Sequence, residues 1–348
     1  MPLRSIRVAD LTLEDIAKQA GVSRSTVSRV VNDLPNVSPD VRKRVLDVIQ
    51  KTDFHPNAAA RTLASQRSWT IALVLPHSVS SFFTDPYFPH LIKGIAQGCN
   101  QYNYTLALFL VGTKEDEDMM FPRVARKGLV DGVIVQAGHH GDQAIVGRLV
   151  NSKIPLVVAG RPFHPNDVSY IDVNNIEAAQ NAVRHLIKLG RKRIATIEGP
   201  WNSTVSIDRK EGYLKALAEN GWSVNDTLIT VGDFTEEGGY TAMQQLLPQN
   251  PDAVFAASDA MAIGAMRAVR EAGLRVPEDI AFVGFDDLPI SAYTPVKLTT
   301  VHQPVVQFGV TAVEMLIDLI ENGTFPPRRV IVDTELIVRE SCGASLTK

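Results

Sequence analysis

Eight short apolar runs, separated by amphipathic segments of helix length, constrain the fold of this 348-residue chain more than any other feature. The first four runs lie at 71–76, 106–111, 132–137 and 155–160, and the second four lie at 194–200, 228–234, 253–258 and 280–287. Continuous apolar strands that alternate with helices are typical of parallel sheets covered on both faces. The two sets therefore predict two similar α/β subdomains, with a boundary near residues 161–171.

The first 50 residues have a different pattern, which predicts three short helices. Thr12 and Asp15 have the spacing of a capping pair at the start of the first helix, and Gly21 ends it. Ser23 caps the second helix, and Ser38 followed by Pro39 opens the third. The expected buried faces consist of apolar residues at helical spacing: Leu13, Ile16, Ala17 and Ala20; Val27, Val30 and Val31; and Val41, Val45, Leu46 and Ile49.

The first two helices have the spacing of a helix-turn-helix. Counting from Leu13, Ala17 is fifth, Gly21 ninth and Val27 fifteenth. Alanine lets the two helices approach, glycine permits a left-handed turn, and valine fills the wedge between the helices. The alternative is an αα-hairpin with a polar surface and no nucleic-acid role.

The charge distribution favours nucleic-acid contact at one end of the chain. Residues 1–67 carry 11 Lys or Arg against 7 Asp or Glu, although the whole chain has a net charge of −3. A basic module ahead of an acidic body fits that interpretation. Hydrophobic residues at 45% and charged residues at 21% exclude a disordered chain.

Neither a membrane span nor a secretory signal is predicted. No run of about 18 uncharged apolar residues occurs, and charges occupy the positions where a signal peptide needs its apolar region. The two cysteines, Cys99 and Cys342, cannot form a disulfide framework or a multi-cysteine zinc site. We therefore expect a cytoplasmic protein without a membrane partner.

Motifs for enzymatic chemistry are absent from the sequence. It contains no GxGxxG, GxxxxGK[ST] or HExxH pattern. His139-His140 has no third metal ligand in sequence reach. Asp286-Asp287 at a strand end would point to opposite sides, which is poor for paired acid–base work. We predict no catalytic site, no metal and no cofactor.

A proline break separates the helical segment from the first apolar run. His55-Pro56-Asn57 interrupts the helix, and the following AAARTLASQ has good helix propensity but little apolar surface. A helix this short is marginal alone because nucleation is costly. Residues 56–66 are therefore a candidate hinge that folds only when it docks.

Residues 11–75 resemble the DNA-binding headpiece of the lactose/galactose repressor family. The resemblance lies in DIAKQAGVS, TVSRVVN, VSPDVRKRV and HPNAAARTLAS, and it continues in family order along essentially the whole chain. The later blocks are GLVDGVIV, HLIKLGRKRIATIEGP, SDAMAIGAMRAVREAGLRVPEDIAFVGFDD and LTTVHQP. It implies an α/β protein with an N-terminal helix-turn-helix headpiece and a periplasmic-binding-protein-like core of two doubly wound parallel-sheet subdomains.

The predicted domains follow from this resemblance and the apolar runs. The segments after residue 298 do not belong clearly to the second set, and a return of the chain to the first subdomain is plausible there. The expected divisions are a headpiece at 1–55, a hinge helix and linker at 56–68, and an effector-binding core at 69–341. Within the core, we expect an N-subdomain of about 69–162 and 296–326 and a C-subdomain of about 163–295 and 327–341.

The resemblance also implies which headpiece residues contact DNA. Residues at helix N-termini hold phosphates, the exposed face of the second helix reads base edges, and the hinge contacts the backbone and the minor groove. Leu63 matches the hinge leucine that wedges into the minor groove, the alternative being an ordinary apolar contact. The predicted set is Thr12, Ser23, Arg24, Ser25, Thr26, Ser28, Arg29, Asn32, Asn57, Ala60 and Leu63.

The implied effector contacts lie between the two subdomains. Arg209 and Asp286 match the family's principal contacts and suit a polyol, the alternative being a salt bridge between subdomains. Aromatic faces can pack against sugar rings, although they can equally be core. Ser258 replaces an Asn of some members, and NNIEA at 174–178 departs from the usual Asp-Asn turn. The predicted effector-binding set is Tyr87, Phe88, Arg161, Arg209, Phe234, Ser258 and Asp286.

The predicted function is a DNA-binding transcriptional regulator. We expect a repressor of carbohydrate-utilisation genes that a mono- or disaccharide releases from a palindromic operator. A homodimer matches such an operator, and the chain lacks the leucine-rich appendage of tetrameric members. A purine corepressor remains an alternative, although purine-binding members place an Arg near the position of Ser203. A solute-binding transport protein and an enzyme are the other classes considered, and activation instead of repression stays open.

Overall fold

A computed structural model describes residues 11–31, 35–52, 54, 67–76, 84–126, 129–138, 142–323 and 326–344 of the chain. Contacts between residues divide the chain into two units, residues 1–68 and residues 69–348. We call the first unit the headpiece and the second the core.

Three helices form the described part of the headpiece: α1 (Leu13–Ala20), α2 (Arg24–Val31) and α3 (Pro39–Thr52). Thr12 and Asp15 form the predicted capping box at the start of α1, and Gly21 ends that helix with a left-handed φ of 66°. Buried side chains join the three helices into a small core: Ile16, Ala17, Ala20, Val27, Val30, Val45 and Phe54. The prediction that Leu46 is buried is wrong. Its side chain is 49% exposed, because it lies one position beyond Val45 and outside the buried stripe of α3.

The described part of the core alternates strands and helices along the chain. Its strands are β1 (Thr70–Leu75), β2 (Thr105–Leu110), β3 (Gly132–Gln136), β4 (Leu156–Ala159), β5 (Ser169–Val173), β6 (Ile194–Glu198), β7 (Ile229–Val231), β8 (Ala253–Ala256), β9 (Ala281–Asp286), β10 (Thr299–His302), β11 (Arg329–Val332) and β12 (Glu335–Ile337). Its α-helices are α4 (Tyr87–Gln101), α5 (Lys114–Ala125), α6 (Gln143–Asn151), α7 (Asn175–Lys188), α8 (Thr204–Glu219), α9 (Glu236–Leu246), α10 (Asp259–Glu271) and α11 (Val305–Asn322).

The twelve strands form two six-stranded sheets. The first has the order β11-β5-β4-β3-β1-β2, and the second has the order β12-β10-β9-β8-β6-β7. All pairs are parallel except β10 with β12. The order 2-1-3-4-5 recurs in both halves and is that of a doubly wound sheet. We call the two halves the N-lobe and the C-lobe.

Sheet membership differs from the predicted subdomain boundaries in three places. Strand β5 lies in the N-lobe sheet, β10 in the C-lobe sheet and β11 in the N-lobe sheet. The chain therefore crosses between the lobes after residues 173, 302 and 332, and not near 162, 296 and 326. The prediction ended the N-lobe after its fourth apolar run, whereas SYIDV at 169–173 adds a fifth strand whose polar Ser169 and Asp172 interrupt the pattern.

Helix α11 returns to the N-lobe, as the sequence suggested. It packs against α4 along its length, and its side chains fill the space over β3 and β4. Gly94 and Gly309 allow this approach, because a Cβ at Gly94 would lie 2.1 Å from the carbonyl oxygen of Val306. No helix in the described part of the chain combines the length and the apolar character that crossing a membrane requires.

Candidate functional site

A cleft of about 210 Å³ lies between the two lobes, at the carboxyl ends of their parallel strands. This is where doubly wound sheets leave a crevice for ligands. The lining residues come from both lobes: Thr84, Asp85, Tyr87, Phe88, Gln136, Gly160, Asp172, Asn175, Pro200, Ser203, Val205, Arg209, Asp233, Phe234, Thr235, Ser258, Asp286, Gln303 and Phe308.

Arg209, on helix α8, is the central cation of the cleft and is only 4% exposed. Its Nε donates to Oδ1 of Asn175 at 2.9 Å, and its Nη1 donates to the carbonyl of Ala257 at 2.5 Å. The guanidinium carbon lies 3.5 Å from the centre of the Phe285 ring. Burial lowers the pKa of Arg209, and the nearby carboxylates oppose that shift. These contacts fix the guanidinium plane, so the cleft presents a positioned donor.

Asp286 lies beside Arg209 at the end of β9. Its Oδ1 is 3.5 Å from Nη1 of Arg209 and accepts a hydrogen bond of 2.5 Å from Nε2 of Gln303. Asp287 points elsewhere and pairs with His302 and Arg339. The two aspartates therefore have different partners, although neither has the extended backbone on which the prediction of opposite directions rested, since φ is 119° at Asp286 and 55° at Asp287.

Arg209 and Asp286 both belong to the C-lobe, so their pairing does not bridge the two lobes. The alternative of a salt bridge between subdomains does not hold for this pair. Both side chains line the cleft instead. The two together offer one fixed donor group and one fixed acceptor group to a ligand.

The N-lobe contributes two carboxylates, Asp85 and Asp172, and three aromatic rings, Tyr87, Phe88 and Phe308. Asp85 accepts a hydrogen bond from the backbone N–H of Tyr87 at 2.9 Å. The rings of Tyr87 and Phe88 meet edge to face, with centroids 5.7 Å apart. Asp172 is 6% exposed, and its Oδ1 accepts from the backbone N–H of Val173 at 2.9 Å.

Burial shifts the pKa values of the cleft carboxylates upward. It raises the pKa of Asp85 and of Asp172 to about 6, with hydrogen bonds from Tyr87 and Val173 acting in the opposite direction. It also raises the pKa of Asp286 well above its ordinary range, although the charge of Arg209 counters this. The phenol of Tyr87 has a raised pKa, because it is buried and near these carboxylates. The described residues of the cleft therefore form a poorly solvated, acidic site around Arg209.

Two cleft residues have backbone conformations that side chains rarely adopt. Phe234 has a φ of 65° and Asp286 a φ of 119°. Such conformations cost about 1–3 kcal/mol each and persist where the surrounding structure holds them. The Phe234 ring packs against Gly199, where an added Cβ would lie 2.2 Å from Cζ of Phe234. The ring is thus locked in place before any ligand arrives.

Ser258 lines the cleft, but its hydroxyl has a local partner. Its Oγ accepts from the backbone N–H of Met261 at 3.3 Å and so caps helix α10. The side chain is 4% exposed. The hydrogen bond that an Asn would offer to a ligand at this position is therefore replaced by a cap.

Arg161 does not line the cleft, and its predicted role as an effector contact is corrected. Its guanidinium, from the N-lobe, forms a bidentate pair with Asp208 of the C-lobe, with Nε–Oδ2 at 2.9 Å and Nη2–Oδ1 at 2.6 Å. Thr204 adds two further bonds between the lobes, to the carbonyls of Gly138 at 2.7 Å and of Arg161 at 2.8 Å. These contacts hold the lobes together beside the ligand space.

Several cleft residues were not predicted. Gln136 is the last residue of β3, Asp172 is the penultimate residue of β5, and Gln303 directly follows β10. Polar residues at the carboxyl ends of parallel strands converge on one edge of a sheet, and this rule could have identified them. The remaining unpredicted residues lie in loops or on helices, where the sequence alone gives no comparable signal.

The predicted DNA-contacting residues of α2 form an accessible, polar surface of the headpiece. Ser23 accepts from the backbone N–H of Thr26 at 3.1 Å, and its Oγ lies 2.8 Å from Oγ of Ser25. The guanidinium of Arg24 lies 3.1 Å from Glu14. Exposed or half-exposed side chains make up the described set: Thr12, Ser23, Arg24, Ser25, Thr26, Ser28 and Arg29.

Four predicted DNA contacts and one predicted histidine pair lie outside the described residues. They are Asn32, Asn57, Ala60 and Leu63, and His139 with His140. Within the described part, no three His, Cys, Asp or Glu side chains lie close enough to hold one metal ion.

Two family models match the chain. One, described as bacterial regulatory proteins of the lacI family, matches residues 12–57, and one described as a periplasmic binding protein-like domain matches residues 183–342. The HTH-type transcriptional regulator CelR of Thermobifida fusca is 37% identical over 334 residues, which are 95% of this chain and 98% of that protein.

Two solved structures are also similar over 95% of this chain and 99% of theirs. A CelR–cellobiose complex has a TM-score of 0.75 at 35% identity. The Lac repressor dimer bound to operator and the anti-inducer ONPF has a TM-score of 0.80 at 27% identity. The matches cover the headpiece and both lobes in one order. The chain therefore belongs to the lacI family of bacterial regulatory proteins and is a DNA-binding transcriptional regulator.

Proposed function

We propose that this regulator is a repressor that binds a palindromic operator as a homodimer and is released by a sugar. One observation carries the proposal. A single chain joins an exposed helix-turn-helix to a two-lobed core whose cleft presents Arg209, Asp286 and aromatic rings. Because its DNA target lies in the bacterial cytoplasm, we place the protein there. The proposal requires no cofactor.

The chemistry of the cleft supports a saccharide as effector. A guanidinium donates to ring and hydroxyl oxygens, and carboxylates accept from hydroxyls. The Tyr87, Phe88 and Phe234 rings offer apolar faces of the kind that pack on sugars. The related CelR was solved with cellobiose, which is a disaccharide. Ser203 lines the cleft where purine-binding members place an Arg, so a mono- or disaccharide fits better than a purine.

The effector must change the equilibrium between two arrangements of the lobes to affect DNA binding. A sugar that binds better to one arrangement shifts the protein toward it. A coupling of about 1–3 kcal/mol changes operator affinity by about 5- to 150-fold. The ion pair of Arg161 with Asp208 joins the lobes, and a contact of this kind carries the coupling when one arrangement keeps it and the other does not.

Fluorescence anisotropy tests the proposal directly. The full chain is titrated onto a palindromic operator from its own upstream region at fixed salt, with and without glucose, maltose, cellobiose and trehalose. We expect tight binding that one of these sugars weakens by about 5- to 150-fold. Tight binding that no sugar changes would reject sugar release but leave the DNA-binding regulator. Binding that a sugar strengthens would make the sugar a corepressor.

Replacing Arg29 by alanine tests the headpiece. Arg29 is exposed and donates no hydrogen bond to the described residues, so its N–H groups are available to a base edge or phosphate. The loss of one such contact weakens operator binding by about 10- to 100-fold. Arg270→Ala removes the same charge from an exposed site on the core and is the control. Equal affinities of the two variants would remove Arg29 from the interface.

A further inference from the structure

The buried charges of the cleft are unbalanced, and the imbalance identifies the class of sugar that fits. Three carboxylates, those of Asp85, Asp172 and Asp286, line the cleft, and a fourth, that of Asp233, lies at its exposed rim. Arg209 is the one cation among the described lining residues. A ligand therefore meets more negative than positive charge.

The positive charge of Arg209 already has partners. Asp286 lies against its Nη1, Asn175 accepts from its Nε, and the carbonyl of Ala257 accepts from Nη1 as well. Its Nη2 makes no hydrogen bond with the described residues and remains for a ligand oxygen. An anionic ligand would compete with Asp286 for one guanidinium and would gain no second cation.

The carboxylates of the N-lobe, by contrast, each have one oxygen that accepts no hydrogen bond from the described residues. Asp172 uses Oδ1 to accept from Val173 and Asn175, and Asp85 uses Oδ1 to accept from Tyr87. The Oδ2 atoms of both residues accept no hydrogen bond from the described residues. Asp172 is more than nine-tenths buried, so water solvates this oxygen poorly. A buried acceptor of this kind is stabilised by a hydroxyl donor and destabilised by a second anion.

We propose that the cleft selects uncharged saccharides and rejects sugar acids and sugar phosphates, with Asp172 and Asp85 as the residues that determine this selection. The inference rests on the proposed sugar response and narrows its ligand class. Hydroxyl groups of the ligand donate to Oδ2 of Asp172 and Asp85, and a ring or hydroxyl oxygen accepts from Nη2 of Arg209. A carboxylate or phosphate on the ligand would lie beside the negative charges of Asp172 and Asp85 and would be repelled by them.

Isothermal titration calorimetry of the full chain with matched ligands tests the selection. The uncharged probes are glucose, maltose, cellobiose and trehalose, and the anionic probes are glucuronate, glucose 6-phosphate and trehalose 6-phosphate. We expect at least one uncharged probe to bind about 100-fold more tightly than every anionic probe. An anionic probe that binds as tightly as the best uncharged one overturns the inference and leaves the sugar response intact. Binding of neither series rejects the sugar response itself.

Asp172→Asn separates charge from shape. The amide has the volume of the carboxylate but no charge, so the repulsion of anionic sugars should fall while the cleft keeps its form. We expect the preference for uncharged over anionic probes to shrink about tenfold, and Asp85→Asn to act in the same direction. Glu321→Gln removes one charge from an exposed site on α11 and is the control. An unchanged preference in both aspartate variants, with uncharged sugars still bound, would overturn their assigned role.

Discussion

The two faces of the cleft differ in how far their polar groups are already satisfied. On the C-lobe face, Arg209 contacts Asn175, Ala257 and Asp286, and Gln303 contacts Asp286 in turn. On the N-lobe face, each aspartate uses one oxygen for a local backbone N–H, which Asp172 also shares with the side chain of Asn175, and its other oxygen has no donor among the described residues. The C-lobe therefore presents a positioned donor and acceptor pair, in which Nη2 of Arg209 and Oδ2 of Asp286 remain open toward a ligand. The N-lobe presents carboxylates that form no ion pair with the described residues, and a ligand completes these acceptors.

This difference suggests an order of events. A preorganised face loses little conformational entropy when a ligand arrives, so it is suited to first contact. The acceptors of the N-lobe gain donors only when that lobe closes over the bound ligand. The C-lobe face then governs affinity, and the N-lobe face governs selection and closure. The variants below test this division from the largest expected effect to the smallest.

Arg209→Ala should have the largest effect. It removes the positioned donor and leaves Asp286 without its cation, so sugar affinity should fall by at least about 100-fold, or about 3 kcal/mol. Operator affinity without sugar should stay within about threefold, because the headpiece is a separate unit. Calorimetry and anisotropy measure the two quantities. Arg184→Ala, which removes a half-exposed arginine paired with Glu219 on the same lobe, is the control.

A normal sugar response in Arg209→Ala would break the assignment of affinity to the C-lobe face. Circular dichroism shows whether the variant is folded, and operator binding gives a second check of the native state. If the variant is unstable, Arg209→Lys keeps the charge but loses the planar fork, and it should still lose most of the sugar affinity.

The N-lobe face should make sugar binding depend on pH. Burial raises the pKa of Asp85 and Asp172 from 3.8 to about 6, and bound hydroxyls favour the charged forms and lower both values. Sugar affinity is therefore full above about pH 6 and falls as the pH drops through 6. Arg209 faces both carboxylates, and Asp208 and Arg161 also face Asp172.

Calorimetry at pH 7.5 and pH 5 measures this dependence. We expect about tenfold weaker sugar binding at pH 5, since each pKa unit of differential binding corresponds to about 1.4 kcal/mol. Asp172→Asn should flatten the profile, and Glu321→Gln should not. Stronger binding at the lower pH would show that the protonated acids are the forms that bind, which contradicts the division between the faces.

Removal of the Arg161–Asp208 pair should weaken sugar binding, although neither residue lines the cleft. The pair joins the lobes, so it favours the closed cleft that completes the N-lobe contacts. We expect Arg161→Ala to raise the sugar Kd about five- to tenfold. Arg267→Ala, which disrupts a pair between helices of the C-lobe alone, is the control. A double-mutant cycle with Asp208→Asn measures the coupling, and additive effects of the two changes would mean that the pair does not act as a unit.

Much of this fold follows from local sequence patterns. The eight apolar runs correspond to eight strands of the core, and those of the eight that lie inside each sheet are largely apolar because both of their faces are covered. Among the eight, the edge strands β2 and β7 are partly exposed. Strand β5 was missed because Ser169 and Asp172 interrupt its pattern, and its membership of the N-lobe sheet depends on pairing with β4 and β11, which no local pattern reports. The points where the chain crosses between the lobes depend on tertiary contacts, and therefore the observed lobe boundaries differ from the predicted ones.

The site residues could be predicted where a side chain suited to a sugar also occupies a position that the family resemblance marks. Arg209 and Asp286 lie at positions that the family resemblance marked, and both line the cleft. Arg161 lies only one residue beyond the lining residue Gly160, yet its length lets it reach Asp208 across the lobes. Sequence order places a residue near a cleft but cannot decide which of two partners a flexible, charged side chain takes.

Ser258→Ala should have the smallest effect on sugar binding, although Ser258 lines the cleft on the C-lobe face. Its Oγ already accepts from the N–H of Met261, so it is a helix cap with little capacity for a ligand. Loss of a serine cap lowers the free energy of unfolding by about 0.5–2 kcal/mol. We expect chemical denaturation to show that loss, while calorimetry shows less than a threefold change in sugar affinity. A large loss of affinity at unchanged stability would show that Ser258 contacts the sugar, and the C-lobe face would then be less complete before binding than its hydrogen bonds indicate.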